Sequence, residues 1–237
     1  MLAITATADW HSAHPGGAVG LLEMSGALNS APASALDPLK RATEERLRSR
    51  YAGYTRKDLL EQPVLAAYQS YYRRFNKTYH VQLQLESILK GKSLPSVSPL
   101  VDANFVSELD SLILTAGHDL ERLLPPVAID VSREGDSMTL MNGTAREIYP
   151  GDMVMRDAEG IACSIIYGQD NRSPITPQTT HVLYVSYAPP GVSADLVGAH
   201  LQRIADTVRT FSPGAALEQL RVIVAGEEVA NSQEGHR

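Results

Sequence analysis

A chain of 237 residues, 43% hydrophobic and 20% charged, has an ordinary globular composition and enough length to bury a sizeable core. It has no apolar run near the ~18–20 residues of a bilayer span and no basic segment leading into an apolar one, as a secretory leader has. Its single cysteine, Cys163, excludes an internal disulfide framework, so a reducing cytoplasm is the expected setting. Net charge is −6, yet residues 40–92 hold 12 Lys/Arg against 5 Asp/Glu, a local +7 beside −13 elsewhere. A polyanion could therefore meet one part of the chain and not the rest.

In chain order, the short apolar stretch 16–27 between glycines predicts a strand. A helix comes next, with Asp37 as N-cap and Pro38 at the first helical position, and it stops near Gly53. A second opens on Thr55 with Asp58 three residues on and is bent or divided at Pro63; a third ends at Gly91. After the linker "KSLPSVSPL", helical spacing returns from Val101 with Phe105, Leu109, Leu112 and Ile113 on one side. Its end, "LILTAGHDL", reads as punctuation. Gly117 is the left-handed residue that closes the helix, and Asp119 caps a short helix "LERLL". From Val127, strands separated by turns at "REGD", Asn142-Gly143 and "AEG" predict an antiparallel sheet, with "HVLYVSYA" as a further strand. A helix capped by Ser193 carries an apolar stripe of Val197, Leu201, Ile204, Val208 and Phe211. The strand "LEQLRVIVA" precedes a polar tail expected to be disordered. The order predicts an α+β fold, helices layered on a mostly antiparallel sheet. The reading is one domain over 1–237, with a helix-rich basic part at 37–92 and a sheet-rich part at 93–225.

Phosphate-loop, dinucleotide and nucleophile-elbow motifs are absent, and no cofactor is called for. His11 and His14 have no third ligand near them in sequence, so no metal site is expected. Cys163, among Ile161, Ile165 and Ile166, reads as core. The run "YQSYYRRFNKTYH" interleaves rings with cations, a pattern that suits single-stranded nucleic acid through Tyr72, Arg73, Arg74 and Lys77. The competing reading is an amphipathic helix with its aromatics turned inward. The loop "YGQDNRSPIT" offers Gly168, Asp170, Arg172 and Thr176 as substrate-binding groups, against a plain surface loop with an Asp–Arg pair.

Three segments, the "YYRRF" region, "LPSVSPLVDANFVSELDSLILTAGHDLERL" and "YPGDMVMRDAEGIACSIIYGQDNRSPITPQTTHVLYVSYAPPG", resemble free-standing relatives of the B3/B4 module of the phenylalanyl-tRNA synthetase β subunit. The resemblance spans about residues 15–225. It implies a three-layer B3/B4-like fold and the hydrolysis of a wrongly attached amino acid from tRNA. Residue by residue, it places a Thr-Asn pair at Ala103 and Asn104, so only the asparagine is present. The module's pocket histidine falls at Ala116, with His118 two positions later. Its tyrosine-sensing acid falls near Val185, so tyrosine selectivity is not implied. A pocket-wall glycine corresponds to Gly168.

On this comparison His118, Asn104 and Thr115 are the candidate catalytic residues, with Asp119 and Thr176 among those that bind substrate. The leading expectation is a trans-acting aminoacyl-tRNA deacylase. A non-catalytic tRNA-binding module and an aminoacyl-tRNA-dependent transferase acting on a small molecule are the alternatives.

Overall fold

The computed structural model describes residues 2–30 and 32–226. The polar tail expected to be disordered lies, from residue 227 on, outside them. The strands are β1 Ile4–Ala6, β2 Ala18–Ser25, β3 Thr115–Asp119, β4 Val127–Val131, β5 Ser137–Thr139, β6 Ala145–Glu147, β7 Met153–Asp157, β8 Gly160–Ser164, β9 Gly168–Gln169, β10 Val182–Ala188 and β11 Ala216–Val224. The helices are α1 Ala8–Ala13, α2 Asp37–Arg50, α3 Arg56–Leu60, α4 Pro63–Arg73, α5 His80–Leu89, α6 Pro99–Ser111 and α7 Ala194–Phe211.

Two sheets and a hairpin organise the chain. The first sheet runs β1-β4-β7-β8-β9, the second β11-β2-β10-β3, and β5 pairs with β6. Every pairing is antiparallel except β1 with β4, so the α+β, mostly antiparallel expectation holds. Alternation along β10 explains the layering. Val182 and Tyr184 pack with Leu201, Ile204 and Val208 of α7. Leu183, Val185 and Tyr187 pack instead with Tyr68 and Tyr72 of α4 and Met153 and Met155 of the first sheet. The second sheet is thus buried on both faces. No helix among the described residues is long and apolar enough to cross a membrane.

The local chemistry explains most boundaries. Thr55 and Asp58 form a reciprocal capping box at the start of α3, and Pro63 opens a new helix because its ring cannot continue the old one. Gly91, at φ 90°, comes after α5 as expected. At α2 the expectation is one residue late, since Leu36 is the N-cap and Asp37 is already helical.

The stretch "LILTAGHDL" departs from its expected form. The helix stops at Ser111 on Leu112, which takes the left-handed conformation at φ 63°. Residues 115–119 then form β3, with Ser186 opposite Thr115 and Tyr184 opposite Gly117. A β-carbon on Gly117 would lie 2.6 Å from Ile175 Cδ1 and 3.2 Å from Tyr184 Cε1. This glycine is demanded by close packing and not by a turn. Asp119 does act as a cap, accepting from Glu121 N–H at 3.2 Å, but "LERLL" makes a single 3-10 turn, Leu120–Arg122.

Candidate functional site

Strand β3 is an edge strand, and a cavity of about 340 Å³ opens along it. Its walls come from three directions: Val101, Asn104 and Phe105 of α6; Leu114 to Gly117 along the edge; and Cys163 to Ile165 with Gly168 and Gln169 across from them. His80 and Met141 also line it, and Tyr187 reaches it from β10. The register fixes how the edge is presented. Tyr187 N–H donates to Leu114 C=O at 3.0 Å, so by alternation Thr115 and Gly117 turn their backbone groups away from β10. Glu108 and Asn104 take up those of Thr115: its N–H donates to Glu108 Oε1 at 3.0 Å, and its C=O accepts from Asn104 Nδ2 at 2.8 Å. Asn104 Oδ1, which is buried, has no hydrogen-bond partner among the described residues.

Behind the edge lies a chain of hydroxyls and one imidazole. Thr115 Oγ1 is 2.7 Å from both His200 Nε2 and Ser186 Oγ, and His200 Nδ1 is 2.8 Å from Ser111 Oγ. Ser111 spends its hydrogen on Ser107 C=O at 3.0 Å. It must therefore accept from His200 Nδ1–H, which leaves Nε2 to accept from the Thr115 hydroxyl. Burial lowers the His200 pKa to about 3, so the ring is neutral and able to draw on that hydroxyl. The hydroxyl, the ring and Ser111 stand in the order of a hydroxyl, a base and an orienting partner, but a ring so hard to protonate holds the hydroxyl by a hydrogen bond and is a weak base toward it. Glu108 is buried nearby; desolvation raises its pKa to about 8, against the pull of the Thr115 N–H. Cys163 stays a thiol, pushed up to about 12 by burial. This agrees with its reading as a core residue, although it also lines the cavity.

The expected site residues divide into groups. Asn104, Thr115 and Gly168, the last at φ 85°, meet in the cavity. His118 does not line it. It is fully buried on the same face of β3 as Ala116, two residues further along, with Nδ1 2.8 Å from Ser173 Oγ and 3.1 Å from Nε2 of the cavity-lining Gln169. Burial lowers its pKa to about 3, with Arg172 adding to the effect and Asp157 opposing it.

Asp170 and Arg172 belong to the same buried network. Ser173 Oγ donates to Asp170 Oδ1 at 2.9 Å, and Arg172 pairs with Asp170 at 2.7 Å, Asp157 at 3.0 Å and Glu159 at 2.9 Å. The pairing of Asp170 with Arg172 is thus extended to two further carboxylates, and the loop is clamped from within. Asp119 accepts from the Thr179 hydroxyl at 2.7 Å, and Thr176 donates its N–H to that hydroxyl at 2.9 Å. Neither Asp119 nor Thr176 lines the cavity.

Tyr72 is buried, with its hydroxyl on Ile165 C=O at 2.6 Å, so it offers no ring to a nucleic acid. Tyr68, Tyr71, Phe75 and Tyr79 are buried as well, and the inward-packed reading of that run is correct for its rings. Arg73, Arg74 and Lys77 remain exposed, and none forms an ion pair among the described residues. His11 and His14 are not together in a cluster. His14 is buried beside the Tyr71 ring, while His11 accepts from Gly226 N–H.

Sequence reading missed His200, Glu108 and Tyr187. The available signal was a polar residue on an otherwise apolar helical face, His200 beside Val197, Leu201 and Ile204, and Glu108 beside Leu109.

A family model described as the B3/4 domain matches residues 66–213. No curated protein matches the chain. Among solved structures the chain is similar to the crystal structure of an N-terminal fragment of the phenylalanyl-tRNA synthetase β-subunit from Pyrococcus horikoshii. Identity is 9% and the TM-score 0.45 over 92% of this chain and 52% of that one, so the chain spans about half the fragment's length.

Proposed function

Given that the chain belongs to the B3/4 domain family, we propose that it is a trans-acting editing hydrolase. It cleaves the ester of a mischarged or non-proteinogenic aminoacyl-tRNA. The observation that carries this reading is the cavity along the edge of β3, largely apolar but lined by Asn104, whose buried Oδ1 has no hydrogen-bond partner among the described residues. A buried acceptor without a donor costs free energy, and a ligand ammonium or hydroxyl would satisfy it. The apolar walls take the amino-acid side chain, and Asn104 orients its polar end.

In the reaction a water oxygen bonds to the ester carbonyl carbon, the bond to the ribose oxygen breaks, and that oxygen takes a proton. Thr115, polarised by neutral His200, is the positioned hydroxyl closest in kind to this task. His80 also lines the cavity, and desolvation lowers its pKa. The withdrawal of His118 from the cavity favours a second reading, a binding module without hydrolysis. Release of amino acid from individually charged tRNAs separates the two. Hydrolysis predicts faster release from at least one mischarged species, whereas a binder slows spontaneous release by shielding the ester.

A further inference from the structure

Beside the cavity lies a surface that the rings of α4 do not supply. An open dish of about 500 Å³ is lined by Arg74, Phe75, Asn76, Tyr149 and Pro150. Tyr149 is 48% exposed, and its ring stacks with Phe75 at 6.4 Å between centroids and 27° between planes. It also meets the Tyr167 ring in a tilted contact, at 5.9 Å between centroids and 36° between planes. Tyr167 immediately precedes Gly168, and Ile165 and Gly168 both line the cavity. The aromatic row therefore ends at the cavity wall.

Cations flank the row. Arg74 lies 5.4 Å from the Phe75 centroid, and Lys77 and Arg146 each lie 5.7 Å from that of Tyr167. Like Arg74 and Lys77, Arg146 forms no ion pair among the described residues. The nearby carboxylate Glu147 comes directly after Arg146 on β6, and alternation sends it to the opposite face. The Asn142-Gly143 turn of the same hairpin carries Met141 to the cavity lining, so one hairpin borders both features.

Exposed aromatic rings beside cations that form no ion pair hold single-stranded nucleic acid, with bases stacking and phosphates meeting the charges. We infer that the Tyr149 dish seats a base of the single-stranded 3′ end of an RNA, with Arg74, Lys77 and Arg146 on the adjoining phosphates. This inference rests on the reading that the substrate is an RNA ester, and it supplies the path by which that ester reaches β3. Asn76, an exposed residue of the lining, supplies a polar side chain for the base edge.

Binding of a fluorescent single-stranded RNA ending in CCA, titrated over a range of salt, tests the inference on the full chain. Tyr149→Ala is expected to weaken binding about tenfold. Lys77→Ala and Arg146→Ala should each flatten the slope of log affinity against log salt by about 0.7. Lys90→Ala with Lys92→Ala, a basic pair elsewhere on the chain, is the control. Tyr149 and Arg146 are exposed, so unchanged thermal unfolding establishes that the variants fold.

Equal binding by wild type and Tyr149→Ala, or a loss confined to the Lys90/Lys92 variant, overturns the dish. If charged tRNA is still cleaved in that case, the hydrolase reading stands without it. Loss of binding in Tyr149→Ala from a wild type that cleaves no charged tRNA keeps the dish and removes the hydrolysis.

Discussion

At the level of single residues, one histidine takes the place of another. His118 is sealed against Ser173 and Gln169, so His118→Ala is expected to act on stability, through a lost buried hydrogen bond of about 1–3 kcal/mol. Its thermal midpoint should drop while deacylation by the folded fraction keeps its rate. Thr115→Val retains shape and removes the hydroxyl held by His200 and Ser186. A fall in kcat about a hundredfold with little change in KM is expected for a group that acts in proton transfer. Asn104→Ala should instead lower kcat/KM about tenfold, chiefly through KM, since it removes an orienting acceptor worth one hydrogen bond. Steady-state kinetics on one cleaved substrate separate the three.

At the level of elements, the sequence was most legible where the deciding chemistry is local. The capping box at Thr55, the break at Pro63, the Asn142-Gly143 turn and the Ser193 cap each depend on residues within one turn of one another. It was least legible at "LILTAGHDL", where the outcome depends on β10, some seventy residues away by register. Pairing there overrides the local signal of a glycine after a helix, and the left-handed residue falls on Leu112, whose side chain is buried in the core. The site divides along the same line. Asn104, Thr115 and Gly168, which line the cavity, were candidates from sequence, whereas His200 comes from α7, and nothing in its neighbourhood shows that it faces Thr115. Gly117 gives an element-scale prediction. Gly117→Ala drives a methyl into Ile175 and Tyr184, with an expected cost of about 1–3 kcal/mol. Because Ile175 lines the cavity, the cavity should narrow as well, a change read as a lower midpoint together with a raised KM.

For the whole molecule, buried ionisable groups set how stability depends on pH. His14, His118 and His200 are held neutral, with pKa values lowered to about 4, 3 and 3. The unfolded chain protonates them first, and stability falls as pH drops below ~6.5. Glu108 and Asp152 act in the opposite sense. Burial raises them to about 8 and 7, so their contribution is full below ~4 and is lost as pH rises through those values. Three groups against two leave maximal stability near pH ~6.5, and Glu108→Gln should flatten the alkaline limb in denaturant titrations.

The central claim, that an aminoacyl ester is held and cleaved in the cavity on β3, is tested most directly by blocking that cavity. Ala116 lies on its wall and is half-buried, so Ala116→Phe fills the space without touching Thr115 or His200. Across a panel of individually charged tRNAs, wild type should release the amino acid from at least one mischarged species. Folded Ala116→Phe should release none above background, while His118→Ala keeps the wild-type rate. No release from any member of the panel, or release that Ala116→Phe leaves undiminished, would contradict the account.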